Sequence, residues 1–265
     1  MPALLHNLDD GIALALIQAA AAIAVCLGVV TLCRCYGVRA QREAVLSIAR
    51  GLAQMVLVGV VLALLLRGNL LIGALILLSM TTAAAATAAR RLRGVKGSMV
   101  LAFCAIGMGS GVVFGIMIAT GTLQMSIATL VPIGSMIVAN AMNACAQAAE
   151  RFRAEVTAHV GRIEAGLALG ADPAVTVAPC VQSAVYASLL PRLDMLKSLG
   201  LVWIPGVMAG MMVSGSSPIY AGIFQFIIVA MILTASGIAG LMVTLLLRKR
   251  IFSPAAQLQL HVVSG

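Results

Sequence analysis

The stretch VPIGSMIVANAMNACAQ, from Val131 to Gln147, is apolar enough to sit in a lipid bilayer, yet it carries three side-chain amides. Asn140, Asn143 and Gln147 follow one another at spacings of three and four residues, and Met136 stands one turn earlier. On an α-helix this spacing places all four side chains on one face, which we call the polar stripe. Amides that face lipid leave donors and acceptors unpaired, which costs free energy. The pattern therefore predicts a membrane helix whose polar stripe faces protein or water.

The composition of the whole chain supports a membrane location. Of its 265 residues, 62% are hydrophobic and only 9% are charged, whereas a soluble domain averages roughly 25% charged residues. So little charge cannot coat a water-facing surface. The start of the chain also lacks the basic residues and small-residue cleavage site of a secretory signal, so we expect the first apolar segment to remain as an anchor.

Seven apolar stretches indicate an all-α integral membrane protein with about seven transmembrane helices, forming one transmembrane domain over 1–265. Most have the ~20 residues that a helix needs to cross the hydrocarbon. The sixth is irregular, because its apolar part is short and contains Pro205, Gly206 and Gly210. The predicted spans are 11–33, 49–66, 70–89, 99–120, 125–148, 197–217 and 219–247.

The basic residues predict the topology. Arginines and lysines concentrate in alternate connections and after the last span, and among all 17 only Arg67 falls on the other side. By the positive-inside rule, the N-terminus lies outside and the C-terminus in the cytoplasm. The same rule requires 197–217 to cross the membrane, since otherwise Arg248, Lys249 and Arg250 would face outside. The net charge of +9 is thus a topology signal. Scattered over short loops, it does not form a nucleic-acid-binding patch.

One long connection, 149–198, is predicted to lie in the cytoplasm as a helical segment. Apolar residues at helical spacing continue the fifth helix up to Gly170, a helix-stop signal. Asp172 and Pro173 are typical of a helix start, and Leu190-Pro191 predicts a further break.

The sequence has none of the motifs of an ATPase or a common hydrolase. It has no GxxxxGK[ST] phosphate loop, no HExxH and no GxSxG. The six cysteines lack metal-binding spacing, and thiols at the cytoplasmic face stay reduced. We therefore expect no catalytic site and no cofactor bound by this chain. If ATP drives transport here, another polypeptide must hydrolyse it.

Several stretches resemble the FetB (YbbM) family of ABC transporter permeases, which includes the plant STAR-type aluminium-tolerance permeases. The resemblance implies a homodimeric permease of the inner (plasma) membrane, served by a separate ATP-binding subunit, with bacterial members linked to iron export. The chain departs from the family pattern at Ser217, where the family often has an acid, so one hard oxygen ligand for a cation is missing. The matching stretches are ARGLAQMVLVGVVL (Ala49–Leu62), VPIGSMIVANAM (Val131–Met142), IEAGLALGADPA (Ile163–Ala174), LLPRLDMLKSLGLVWIPGVMAGMMVSGSSP (Leu189–Pro218) and RKRIFSPAAQLQL (Arg248–Leu260).

The cytoplasmic segment also contains a motif similar to the EAA loop, by which many ABC importers' permeases contact their ATPases. Glu164-Ala165 followed by Gly170 is similar to the first half of that loop, although its expected continuation is displaced. The candidate ATPase-coupling residues are Glu164, Ala165, Gly170, Leu190 and Pro191.

The polar stripe has two interpretations. Its amides either form hydrogen bonds between helices, which are common in membranes, or they line a translocation path. No Asp or Glu lies within any predicted span, so a metal ion would meet only amides, carbonyls, Met or Cys; the metal ligands stay unknown. The path candidates are Gln54, Met136, Asn140, Asn143 and Gln147.

The main alternative is a stand-alone facilitator or secondary transporter of a small polar solute. A retinal receptor would need a lysine in the last span, and 219–247 has none. A proton-coupled carrier would need a membrane carboxylate. The prediction that best fits the residues is an ABC permease subunit that has no ATPase activity of its own.

Overall fold

A computed structural model describes residues 2–37, 41–65, 70–92, 94–95, 97–123, 126–253 and 257–258. Ten α-helices make up the regular structure of these residues. Arg39, Arg67, Arg93, Lys96 and residues 254–256, 259 and 260 of the tail stretch that resembles the family lie outside them. The chain divides into two compact units, 1–67 and 68–265, which are described separately.

The first unit is a helical hairpin. Helix α1 spans Pro2–Cys35 and α2 spans Gln41–Leu65. Gly37 takes a positive φ of 85° at the turn, a conformation that glycine adopts without steric cost. Across the turn, the Arg34 guanidinium donates to the Gln41 side-chain oxygen at 2.6 Å.

The second unit is a bundle around one long central helix. Its membrane-length helices are α3 (Leu70–Arg91), α4 (Ser98–Ala119), α5 (Ile127–Ala158) and α10 (Pro218–Arg248). Shorter helices connect α5 to α10: α6 (Val160–Ala168), α7 (Pro173–Thr176), α8 (Ala178–Ser198) and α9 (Gly206–Val213). Helix α5 contacts α3, α4, α8 and α10, so it forms the centre of the bundle.

Small residues let these helices approach closely. A Cβ added to Gly109 of α4 would lie 2.6 Å from the Ala235 carbonyl oxygen of α10, and one added to Gly134 of α5 would lie 2.6 Å from Leu77 of α3. Such contacts replace the hydrophobic driving force that is absent between helices in lipid. The fully buried alanines of the core include Ala85, Ala102, Ala105, Ala141, Ala144, Ala148, Ala235 and Ala239.

Six described helices are long and apolar enough to cross a membrane, and they coincide with six of the seven predicted spans. The all-α integral membrane class is therefore confirmed. The predicted sixth span, 197–217, is different, because residues 199–205 are not helical and α9 has only 8 residues.

Helix α8 and the segment that follows it together run along α5 in the direction that was predicted for the sixth span. Helix α8 runs antiparallel to α5: Ser183 near its start bonds Glu155, and Arg192 further on contacts Gln147 and Asn140. The break predicted at Leu190-Pro191 does not occur, since α8 continues through Pro191. The chain thereby reaches the opposite end of the bundle, where α9 packs near the start of α5.

The end of the fifth helix follows the prediction closely. After α5, only His159 separates it from α6, and Phe152, Val156 and Ile163 of the predicted apolar face are fully buried. Gly170 ends the segment with a φ of 83°. Asp172 then caps α7 by accepting from the Ala174 backbone N–H.

Candidate functional site

The polar stripe lies on the central helix α5, but its members have different surroundings. Met136, Asn140 and Gln147 are half-buried, whereas Asn143 is exposed. The Asn140 side-chain amide donates to the Met136 carbonyl oxygen of its own helix at 2.8 Å. The stripe therefore has a buried edge formed by three residues and an open edge at Asn143.

A buried arginine meets this edge from α8. Arg192 is only 6% exposed. Its Nη1 lies 3.3 Å from the Gln147 Oε1, and its Nη2 donates to the Asn140 carbonyl oxygen at 3.1 Å. From α10, the Ser236 hydroxyl lies 3.4 Å from the same carbonyl oxygen. We call these four residues, Asn140, Gln147, Arg192 and Ser236, the Arg192 cluster; it joins α5, α8 and α10.

The cluster lies deep within the bundle. At 1.5 Å per residue, Asn140 is roughly 20 Å from the start of α5 at Ile127 and about 15 Å from Glu150. Glu150 pairs with Arg91 at the basic end of the unit, 3.3 Å away. Arg192 thus contacts the part of the predicted span 125–148 that lies between Asn140 and Gln147, whereas the sequence assigned it to the cytoplasmic helical segment 149–198 because of the basic residues there and the break predicted at Leu190-Pro191.

A second buried polar group lies nearer the other end of the bundle. Gln225 of α10 is 1% exposed, and neither its Nε2 nor its Oε1 has a hydrogen-bond partner. Gln225 was not among the site residues predicted from the sequence. The signal was present, because Gln225 is the one amide side chain in the span 219–247 and is subject to the same argument as the stripe.

A cavity of about 550 Å³ opens at this end. It is formed by the end of α4, the start of α5, α9 and the start of α10. The rings of Tyr220 and Phe224 stack along it with centroids 6.3 Å apart. Its other polar lining consists mainly of hydroxyl groups, from Thr120, Thr122, Thr129 and Ser216. The cavity, Gln225 and the Arg192 cluster therefore place polar groups at successive positions along the length of the second unit.

Gln54, the remaining path candidate, lies on α2 of the first unit, where its side chain is exposed. The path candidates are therefore divided between the two units of the chain.

The coupling candidates fall into two groups. Glu164 and Ala165 are exposed on α6, and Gly170 forms the turn that follows it. Beside Gly170, the Leu169 side chain is 88% exposed, an apolar group presented to solvent. Leu190 and Pro191 lie on the exposed side of α8, adjacent in sequence to the buried Arg192.

The turn between α6 and α7 is held firmly. A Cβ on Gly166 would lie 2.5 Å from Thr176 Cγ2, so α6 and α7 are in close contact. Nearby, Glu155 pairs with Arg151 at 2.8 Å and accepts from the Ser183 hydroxyl at 2.9 Å. Burial raises the pKa of the Cys180 thiol, while the adjacent Arg162 guanidinium opposes this shift. Cys180 is accordingly a protonated packing residue here.

In the described part of the chain, no group of three His, Cys, Asp or Glu side chains is placed to hold a metal ion. The buried polar side chains among the described residues are instead hydroxyls, one amide and one guanidinium.

The six long apolar helices define a multi-pass helical membrane protein. Residues 16–252 match the model of the uncharacterised protein family UPF0014. The chain belongs to this family.

Several relatives cover most of the chain. Protein ALUMINUM SENSITIVE 3 of Arabidopsis thaliana is 29% identical over 94% of this chain and 92% of its own length. The probable iron export permease protein FetB of Escherichia coli is 26% identical over 82% of this chain and 85% of its own length. The membrane protein STAR2 of rice is 30% identical over 82% of this chain and 76% of its own length. No solved structure matches the chain significantly. The resemblance to the FetB and STAR-type proteins is thus confirmed.

Proposed function

We propose that this chain is the membrane-spanning subunit of an ATP-driven ABC transporter that exports a metal, with iron as the first candidate. A separate ATPase subunit supplies the energy, and two copies of this chain form the transport unit in the plasma membrane. The observation that carries the proposal is the set of buried polar groups along α5, α8 and α10, which an apolar bundle would not keep for packing alone. The name of the FetB relative supports iron as the cargo.

The cytoplasmic segment supports an external ATPase. The exposed Leu169 lies on a turn that is fixed by Gly170 and by the close packing of α6 on α7. A rigid apolar projection of this kind suits docking into a groove of a partner protein. The sequence itself has no phosphate loop.

Inside-out membrane vesicles test the proposal. The chain is co-produced with a candidate ATP-binding cassette ATPase that co-purifies with it, and uptake of ⁵⁵Fe into the vesicles is followed with and without ATP. We expect uptake that needs both proteins and ATP. A catalytically inactive ATPase is the matched control. Equal uptake without the ATPase would favour the alternative, a stand-alone facilitator.

A further inference from the structure

Arg192 presents a positive charge that the described protein does not neutralise. A guanidinium stays protonated under all physiological conditions. Its two bonded partners, the Gln147 amide oxygen and the Asn140 carbonyl oxygen, are neutral, and its buried Nε has no hydrogen-bond partner. A buried charge without a counter-charge is costly, so the site has both a charge and a donor left for something else to bind.

The carboxylates of the described residues are not that counter-charge. Glu150 pairs with Arg91, Glu155 with Arg151, and Asp194, only two residues from Arg192, with Lys197. Asp172 caps α7. No described carboxylate forms an ion pair with Arg192, which leaves a ligand as the group that fits the site.

Resting on the proposed transport function, we infer that the cargo crosses this bundle as an anion, or as a metal complex of net negative charge, whose oxyanion groups bind Arg192. The planar guanidinium matches carboxylate and phosphate oxygens geometrically. Asn140 and Gln147 hold two of its nitrogens and so fix the plane of the group. A bare cation at this depth would be repelled by Arg192, whereas a chelate that carries excess carboxylate charge would be attracted.

Binding measurements test the charge preference directly. Purified protein in lipid nanodiscs is titrated calorimetrically with citrate, with inorganic phosphate and, separately, with Fe²⁺ alone; the two anions distinguish a carboxylate from a phosphate cargo. We expect at least one anion to bind, and Arg192→Met to weaken that binding by about tenfold or more. Arg192→Lys keeps the positive charge but lacks the planar guanidinium that binds two oxygens at once, so it should weaken anion binding to an intermediate degree. Arg151→Met removes an exposed arginine and should leave binding unchanged.

If Arg192 serves only to hold α8 against α5, removing its charge will not change the affinity for anions. Binding of Fe²⁺ with no binding of either anion, or equal anion binding by correctly folded Arg192→Met, would overturn the inference. If Arg192→Met does not assemble, Arg192→Lys is compared with the wild-type protein instead. Undiminished anion binding by the lysine variant would show that the planar guanidinium is not what binds the anion.

A transport experiment separates this inference from the proposed function. Vesicles receive iron either as Fe²⁺ or as ⁵⁵Fe with ¹⁴C-citrate. Joint accumulation of both labels supports the anionic cargo. Accumulation of iron without citrate overturns the inference and leaves iron export standing. Arg192-dependent anion binding without transport of either iron form retains the inference and removes iron as the cargo.

Discussion

At the scale of single residues, the backbone and the side chain of Asn140 have separate roles. Its carbonyl oxygen accepts a hydrogen bond from Arg192 and lies near the Ser236 hydroxyl. Its side-chain amide donates to the Met136 carbonyl oxygen. A side-chain substitution at 140 therefore removes the amide without removing the partner of Arg192.

We predict that Asn140→Leu abolishes transport and leaves dimer and ATPase assembly intact, because it removes a polar group from the path and preserves the carbonyl that fixes Arg192. Transport and co-purification of the ATPase are measured together. Asn143→Leu is the control on the open edge of the stripe and should retain transport. A functional Asn140→Leu protein that has lost only ~0.5–1 kcal/mol of stability would show a packing role instead.

Cysteine labelling provides an independent readout for the same stripe. Single cysteines at 136, 140, 143 and 147, on a cysteine-free background, are treated with a water-soluble thiol reagent. A path predicts reaction at all four positions that changes with ATP. Protection of all four would indicate hydrogen bonding between helices.

At the scale of helices, glycines differ according to what lies opposite them. Gly109 faces the backbone of α10, whereas nothing lies within 4 Å of a Cβ added to Gly111. Both positions are in the middle of α4. They form a matched pair in which only one residue requires the absence of a side chain.

Gly109→Ala should destabilise the bundle, because its Cβ would contact the Ala235 carbonyl oxygen at 2.6 Å and force α4 and α10 apart. Gly111→Ala should be neutral or stabilise α4 by roughly 0.5–1 kcal/mol through its helix propensity. Unfolding in mixed detergent micelles gives both values. The same sign of change for the two variants would contradict close α4–α10 packing.

The turn between α6 and α7 allows a test of coupling. We expect replacement of Glu164 and Gly170 together to weaken recovery of the ATPase and its stimulation, with membrane insertion unchanged, because both lie on the exposed α6 and its terminal turn. Leu169→Asp is the sharper variant, since this 88% exposed side chain has no folding role in the bundle. Full ATPase stimulation in all variants would move the docking site elsewhere.

The sequence predicted the long apolar helices and the stop at Gly170 because length, periodicity and glycine are local signals. The predicted sixth span, 197–217, followed the apolar run 201–215, which is also a local signal. The preceding residues Pro191, Arg192, Asp194 and Lys197 follow the helix break predicted at Leu190-Pro191, whereas α8 continues through Pro191. Only tertiary contact with α5 shows that Arg192 is buried and hydrogen-bonded to neutral oxygens, and such contacts leave no local pattern.

At the scale of the second unit, positive charge collects at one end. Arg91 pairs with Glu150 there, and Asp172, Arg248 and Lys249 line a common cleft at the ends of α7 and α10. The opposite end holds the hydroxyl-lined cavity. The predicted orientation would direct this basic end towards the cytoplasm.

Topology mapping should place reporters fused after Arg67 and after Lys96 in opposite compartments. The course of α8 adds a position that separates the structure from the sequence-based expectation: a cysteine at Leu201, which is 87% exposed, should react with an impermeant reagent from outside the cell. A cysteine at Glu164 is the cytoplasmic control and should react only after permeabilisation. Reaction of a cysteine at position 201 only from inside the cell would show that the end of α8 lies on the cytoplasmic side.

The buried guanidinium of Arg192 also has an electrical consequence for the direction of transport. A cell interior at about −100 mV favours movement of each negative charge to the outside by ~2.3 kcal/mol. A cargo that carries two excess negative charges therefore leaves with the voltage, and the energy of ATP is needed mainly against its concentration gradient. A bare divalent cation would leave against the same voltage, so the sign of charge that Arg192 selects decides whether the membrane potential assists or opposes export.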